Sequence, residues 1–132
     1  MRFMLLQNYG HIEGVEPMHR WTPEEIRAHI AFQQRINAEL TERGELIDAQ
    51  ALTGPEAAKL VTYGGTGEPV VTDGPFPEYK ELLAGYRIID VESLERAIEV
   101  AAQVSAAPGQ NGVPIKQPIE LREVMAPLGP EA

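Results

Sequence analysis

His29 and Asp73 are the two residues of this chain whose types best suit proton-transfer chemistry, and Gln33 lies one helical turn beyond the histidine. An imidazole can give or take a proton near neutral pH, provided a partner fixes which ring nitrogen carries the proton. Asp73 or Asp48 could be that partner. The competing reading is a packed histidine hydrogen-bonded to a backbone carbonyl or to Gln33. Asp73 opens the run Asp73-Gly74-Pro75-Phe76-Pro77-Glu78-Tyr79-Lys80-Glu81. Its carboxylate either serves catalysis or supports the turn by accepting backbone N–H groups, and both roles can coexist. Gly74 tolerates positive φ, while Pro75 and Pro77 fix φ and remove two backbone donors. Phe76 is then a pocket wall or a core plug. Glu78, Lys80 and Glu81 either contact a polar substrate or form a solvated helix surface. The candidate catalytic residues are therefore His29 and Asp73. The candidate binding or turn residues are Gly74, Pro75, Phe76, Glu78, Lys80 and Gln33.

Other chemistries are poorly supplied. His11 and His19 lie in a Gly- and Pro-containing loop, and the sequence holds no H-E-x-x-H pattern or helical pair of histidines. No metal site is expected, and no cofactor. The absence of cysteine removes disulfides, thiolate nucleophiles and thiolate metal ligands. Gly64-Gly65-Thr66-Gly67 is not followed by a helix start or a Lys-Ser/Thr pair, so it reads as a hairpin turn and not as a phosphate loop.

Positioning these residues requires a particular set of elements. Residues 2–8 read as a strand with Phe3 and Leu5 on one side and Met4 and Leu6 on the other, hence a central strand. Thr22-Pro23-Glu24-Glu25 combines an N-cap, a proline at the first helical position and a capping box. The helix it starts should run to Arg43 and stop at Gly44. Ile26, Ile30, Gln33, Ile36 and Leu40 make one stripe at 100° per residue, with His29 in its middle and Phe32 at its margin. Trp21 reads as a plug at the helix entrance. Strands are expected over 45–51, 58–63, 70–73 and 85–91, with a short charged helical turn at 78–81. A second helix is capped by Ser93 and carries Leu94, Ala97, Ile98, Ala101 and Val104 on one face. A last strand spans 119–124. Residues 1–125 should form a single domain, with 126–132 a flexible tail.

The order β-α-β, hairpin, β-α-β is that of an α+β, ferredoxin-like split βαβ fold with an inserted hairpin. Both helices would cover one sheet face, so a homodimer packed through the other face is expected. With 132 residues, 43% of them hydrophobic, the chain can fill one core. Eleven Lys and Arg against 20 Asp and Glu give a formal charge of −9, which disfavours nucleic acid and anionic membrane surfaces as partners. The start is too short an apolar run for a signal peptide, and nothing approaches the ~20 apolar residues of a membrane helix. A cytoplasmic protein is expected.

The whole pattern resembles the YCII-related, or DGPF-domain, family. The resemblance rests on Arg2-Phe3-Met4-Leu5-Leu6, His29 with Phe32, Gly44-Glu45-Leu46, Leu52, Val71 through Glu81, Gly85-Tyr86, Ala97 and Ile119-Glu120-Leu121-Arg122. It implies a dimeric α/β-barrel type of assembly with a cleft between helix and sheet, in the bacterial cytoplasm. It also implies a His/Asp pair as the catalytic site, as in a related dehydrochlorinase, and so a small-molecule lyase or isomerase. Other relatives look like accessory partners of extracytoplasmic-function sigma factors, which makes a non-catalytic ligand-binding or regulatory module the alternative. Where some relatives carry an acid at the end of the first strand, this chain has Asn8-Tyr9, so any dyad must take its carboxylate from Asp73 or Asp48.

Overall fold

The computed structural model describes residues 1–9, 12–74 and 82–126. Its elements are β1 (Arg2–Tyr9), α1 (Pro23–Glu42), β2 (Leu46–Ala51), β3 (Lys59–Tyr63), β4 (Pro69–Asp73), β5 (Leu82–Asp90), α2 (Leu94–Ser105) and β6 (Glu120–Glu123). Four strands form one antiparallel sheet in the order β2-β5-β1-β6, and β3 pairs with β4 in a separate hairpin. This is a mixed α+β chain, consistent with the ferredoxin-like arrangement. The expected barrel is not closed within one chain: β2 and β6 are the sheet's two edges, and four strands are too few to curl around a filled interior.

Alternation along the strands decides where the core lies. Phe3 and Leu5 of β1 and Ile89 of β5 are buried on one face against Ile36 and Leu40 of α1 and Ala97, Val100 and Val104 of α2. The opposite face carries Met4, Leu6, Tyr86 and Ile88, each half-buried. β1 is central, between β5 and β6.

The helix boundaries follow from their caps. Thr22 Oγ1 accepts from the Glu25 N–H, and the Glu25 carboxylate accepts from the Thr22 N–H, as the capping box requires. At the other end Gly44 takes φ +73°, Gly44 N–H donates to Thr41 O and Glu45 N–H donates to Leu40 O. Those two bonds are a Schellman motif, which needs a left-handed residue where the helix stops. Ser93 Oγ accepts from the Arg96 N–H at the start of α2.

β5 begins at Leu82, three residues earlier than expected, because a bulge between Gln7 and Asn8 lets β1 continue to pair as far as Tyr9 with Leu82. Gly85 sits beside that bulge, and a Cβ there would fall 2.8 Å from the Gln50 carbonyl oxygen. Only glycine lets β2 approach β5 this closely. The expected helical turn at 78–81 and the tail from residue 127 lie outside the described residues. Among the described residues, no helix is long and apolar enough to cross a membrane.

Candidate functional site

The stripe on α1 divides in two. Its C-terminal half, Ile36 and Leu40, is core. Its N-terminal half, with His29, Ile30 and Gln33, faces a cavity of about 570 Å³ between α1 and the sheet. The cavity is also bordered by Gln7 of β1, Ala49 of β2, Gly85 and Arg87 of β5, and Trp21 and Ile115 from loops. Small residues on β2 and β5 hold the space open: Ala49, Ala51, Ala84 and Gly85 leave volume where larger side chains would fill it.

His29 is held from both ring nitrogens. Nδ1 lies 3.0 Å from the Pro108 carbonyl oxygen, which can only accept, so Nδ1 carries the proton and donates. Gln33 Oε1 accepts from Arg87 Nη2 at 2.7 Å, which fixes the orientation of its amide. Gln33 Nε2 is then a donor, and it faces His29 Nε2 at 3.5 Å. His29 Nε2 is therefore the unprotonated nitrogen, with its lone pair toward the Gln33 amide, and both residues border the cavity. Trp21 packs edge-on against the imidazole with ring centroids 5.5 Å apart, and its indole N–H donates to Glu16 O at 2.9 Å.

The loop that supplies the Pro108 carbonyl is braced on itself and on α1. Gly109 N–H donates to Val113 O and Ile115 N–H to Ala107 O, each at 2.9 Å. Asn111, at φ 57°, donates its N–H to the Glu25 carboxylate at 2.6 Å. That bond, with the one from Thr22, holds the Glu25 carboxyl below the usual carboxylate range.

Arg87 is the deepest polar group at the cavity, 4% exposed. Its Nε donates to Asn37 Oδ1 at 2.7 Å and Nη1 to Gln7 Oε1 at 3.3 Å. Nη2 donates to Gln33 Oε1 and to Gln33 O. Every acceptor is a neutral amide oxygen. Burial pushes its pKa below the usual guanidinium value, with no carboxylate opposing the shift. Arg96 is a useful contrast: it is half-buried but paired with Glu45 and Glu99, and its pKa is raised, chiefly by the hydrogen bond to Glu45.

The carboxylates singled out from the sequence lie elsewhere. Asp73 ends β4, is 73% exposed and pairs with Lys59 across the hairpin; it does not border the cavity. Gly74 N–H donates to Ala58 O at the hairpin base. Asp48 accepts from Ala49 N–H, Gln50 Nε2 and the Tyr86 hydroxyl at 3.0 Å, on the sheet face away from the helices. That last bond raises the Tyr86 pKa. Pro75, Phe76, Glu78 and Lys80 lie outside the described residues, as does His11. The structure thus brings His29 and Gln33 together at the cavity with Arg87, Asn37, Gln7 and Trp21, which the sequence reading did not select. Among the described residues, no three His, Cys, Asp or Glu side chains are grouped to hold a metal.

An uncharacterised protein of Rhizobium meliloti (strain 1021) is 32% identical over 101 residues, which is 76% of this chain and 81% of that protein. The family model for the YCII-related domain matches residues 1–119, from the first residue of the chain to the edge of β6. An α+β body with a helix-to-sheet cavity, matched over nearly its full length by that model, makes this chain a member of the YCII-related domain family.

Proposed function

We propose that the chain binds a small polar molecule in the cavity between α1 and the sheet and that His29 Nε2 takes a proton from it, a reaction of lyase or isomerase type. The observation that carries this is the fixed tautomer of His29 at a cavity wall, with Nδ1–H on the Pro108 carbonyl and an unprotonated Nε2 beside the Gln33 amide, which a ligand donor can displace. In this reading the Pro108 carbonyl takes the orienting role that a carboxylate would have in a His/Asp pair. Asp73, held by Lys59, is not required for it. The cavity has the size and the mixed lining of a small-molecule site, apolar walls with a few convergent polar groups. A homodimer in a cytoplasmic setting goes with it: Met4, Leu6 and Ile88 on the sheet face away from the helices would pack against a second copy, and eight strands could then enclose a barrel-like interior.

Trp21 borders the cavity and is the chain's one tryptophan, so its fluorescence reports occupancy. A panel of small keto acids, hydroxy acids and amides should contain members that change it saturably. Ala49→Leu, which fills the cavity, should abolish that response. In D2O, NMR should show an acidic C–H of a bound member exchanging with solvent, and His29→Gln should stop the exchange while leaving binding intact. Equal responses from wild type and Ala49→Leu would overturn the site. Exchange that persists in His29→Gln would overturn the role of the histidine.

A second reading is supported by the β3–β4 hairpin, whose strands are exposed throughout and present Val61, Tyr63, Val70 and Val71 to solvent. An apolar arm of this kind suits a non-catalytic regulatory module that grips a partner protein. Deleting residues 60–72 would remove such a partner and leave cavity binding unchanged.

A further inference from the structure

We propose that the cavity takes an oxyanion, a carboxylate or a phosphate group of its ligand, against the buried guanidinium of Arg87. This rests on the reading of the cavity as a ligand site and specifies the chemistry of what enters it. A guanidinium cannot shed its proton to escape burial, so a buried one calls for a negative partner. Arg96 has two such partners. Arg87 has none among the described residues, although it is the more deeply buried by residue exposure.

Counting donors sharpens the point. A guanidinium has five N–H groups, and those of Arg87 make four hydrogen bonds: one from Nε, one from Nη1 and two from Nη2. One N–H on Nη1 is left without an acceptor among the described residues, at a side chain that borders the cavity. The amides around it act in the same direction. Gln33 turns its oxygen to Arg87, so its NH2 group is a donor on the His29 side. Gln7, also a cavity residue, turns its oxygen to Arg87 as well, and its NH2 group has no acceptor among the described residues. The site thus offers fixed donors around an uncompensated positive charge, the arrangement that recognises an oxyanion. The other ionisable residues that border the cavity are Glu16, His29 and Tyr86, and Glu16 is half-exposed and paired with Arg20.

The test uses acetate, benzoate and inorganic phosphate, with acetamide and benzamide as neutral counterparts, read by Trp21 fluorescence and by Tm. Oxyanions should change the fluorescence saturably and raise Tm, and the amides should do so at least about tenfold more weakly, the loss of a charge-assisted bond. Asn37→Asp places a carboxylate of the same shape where Asn37 Oδ1 now accepts from Arg87 Nε, supplying the missing counter-charge from within. It should raise Tm without any probe and weaken oxyanion binding by the same factor. Arg87→Met should lose oxyanion binding while keeping the cavity. Preference for phosphate over acetate and benzoate assigns a phosphoester ligand, and the reverse assigns a carboxylate. Amides that bind as tightly as acids, or an Asn37→Asp protein with wild-type oxyanion affinity, would overturn the inference. If neutral members of the panel bind and oxyanions do not, only this inference fails. If nothing of either charge moves Trp21, the cavity reading fails with it.

Discussion

A neutral His29 ring has one N–H, and its neighbours decide which nitrogen holds it. Long-range 15N NMR should find Nδ1 protonated and Nε2 bare in the neutral ring, since Pro108 O can only accept and Gln33 Nε2 can only donate. Gln33→Leu should blur that preference, because the group facing Nε2 is then gone. A ring protonated on Nε2 would rule out the general-base assignment. Gly85→Ala forces a Cβ against the Gln50 carbonyl, so β2 must move, at a cost of about 1–3 kcal/mol in denaturant unfolding. The alanine should also narrow the cavity that Gly85 borders. His29 and Gln33 were legible in the sequence because helical periodicity alone puts them on the inner stripe. Arg87 was passed over: an arginine before Ile88-Ile89 reads as the solvent side of an alternating strand. The signal was present, though, since alternation puts Arg87 on the same face as Gly85 and Ile89. What the sequence could not supply was that a cavity, and not packed apolar side chains, would lie over that face.

Helix ends carry much of the architecture, and they were the most readable elements. The Thr22 capping box and the Gly44 stop are local chemistry, complete within a few residues, so the boundaries of α1 came within a residue of those expected. Thr22→Ala should cost about 1 kcal/mol by chemical denaturation. The lock between the end of α1 and the start of α2 was not readable, because it joins residues far apart in the chain. Glu45 accepts from Arg96 Nε at 3.1 Å and Nη2 at 2.9 Å, and from Arg43 at 2.9 Å. The bond to Arg96 holds its carboxyl below the ordinary value of 4.5. A carboxyl with a lowered pKa in the folded state contributes its full stability above that ordinary value. The contribution is lost as pH falls through the folded value, because the unfolded chain binds the proton first. Glu45→Gln should therefore lower stability at pH 7 by about 1.5–3 kcal/mol, the range for hydrogen bonds to a charged group, and flatten the acid limb of the stability curve below pH ~4.5. An unchanged acid limb would show that the lock carries no linkage.

The whole molecule has a second sheet face, away from the two helices. Met4, Leu6 and Ile88 are apolar and only half-buried there. If two copies meet on this face, sedimentation should give twice the 14.5 kDa chain mass. Leu6→Glu should then return a monomer with its helices intact by circular dichroism, while a monomeric wild type would end that reading. The four-strand body was legible from alternation and turn chemistry. The inserted hairpin was legible too, from its Gly-rich turn, but its separateness from the sheet was not: among the described residues β3 and β4 pair with each other and with no strand of the larger sheet.

That separateness divides the molecule into two tiers of amide protection. An isolated two-stranded ribbon is marginal in water, and β3 and β4 bury no residue. Their amides can trade protons with solvent through an opening that leaves the sheet untouched, whereas those of β1 and β5 wait for the whole fold to come apart. Asp73 and Gly74 stand at the seam between the tiers, so whatever the hairpin does is free to happen on its own clock.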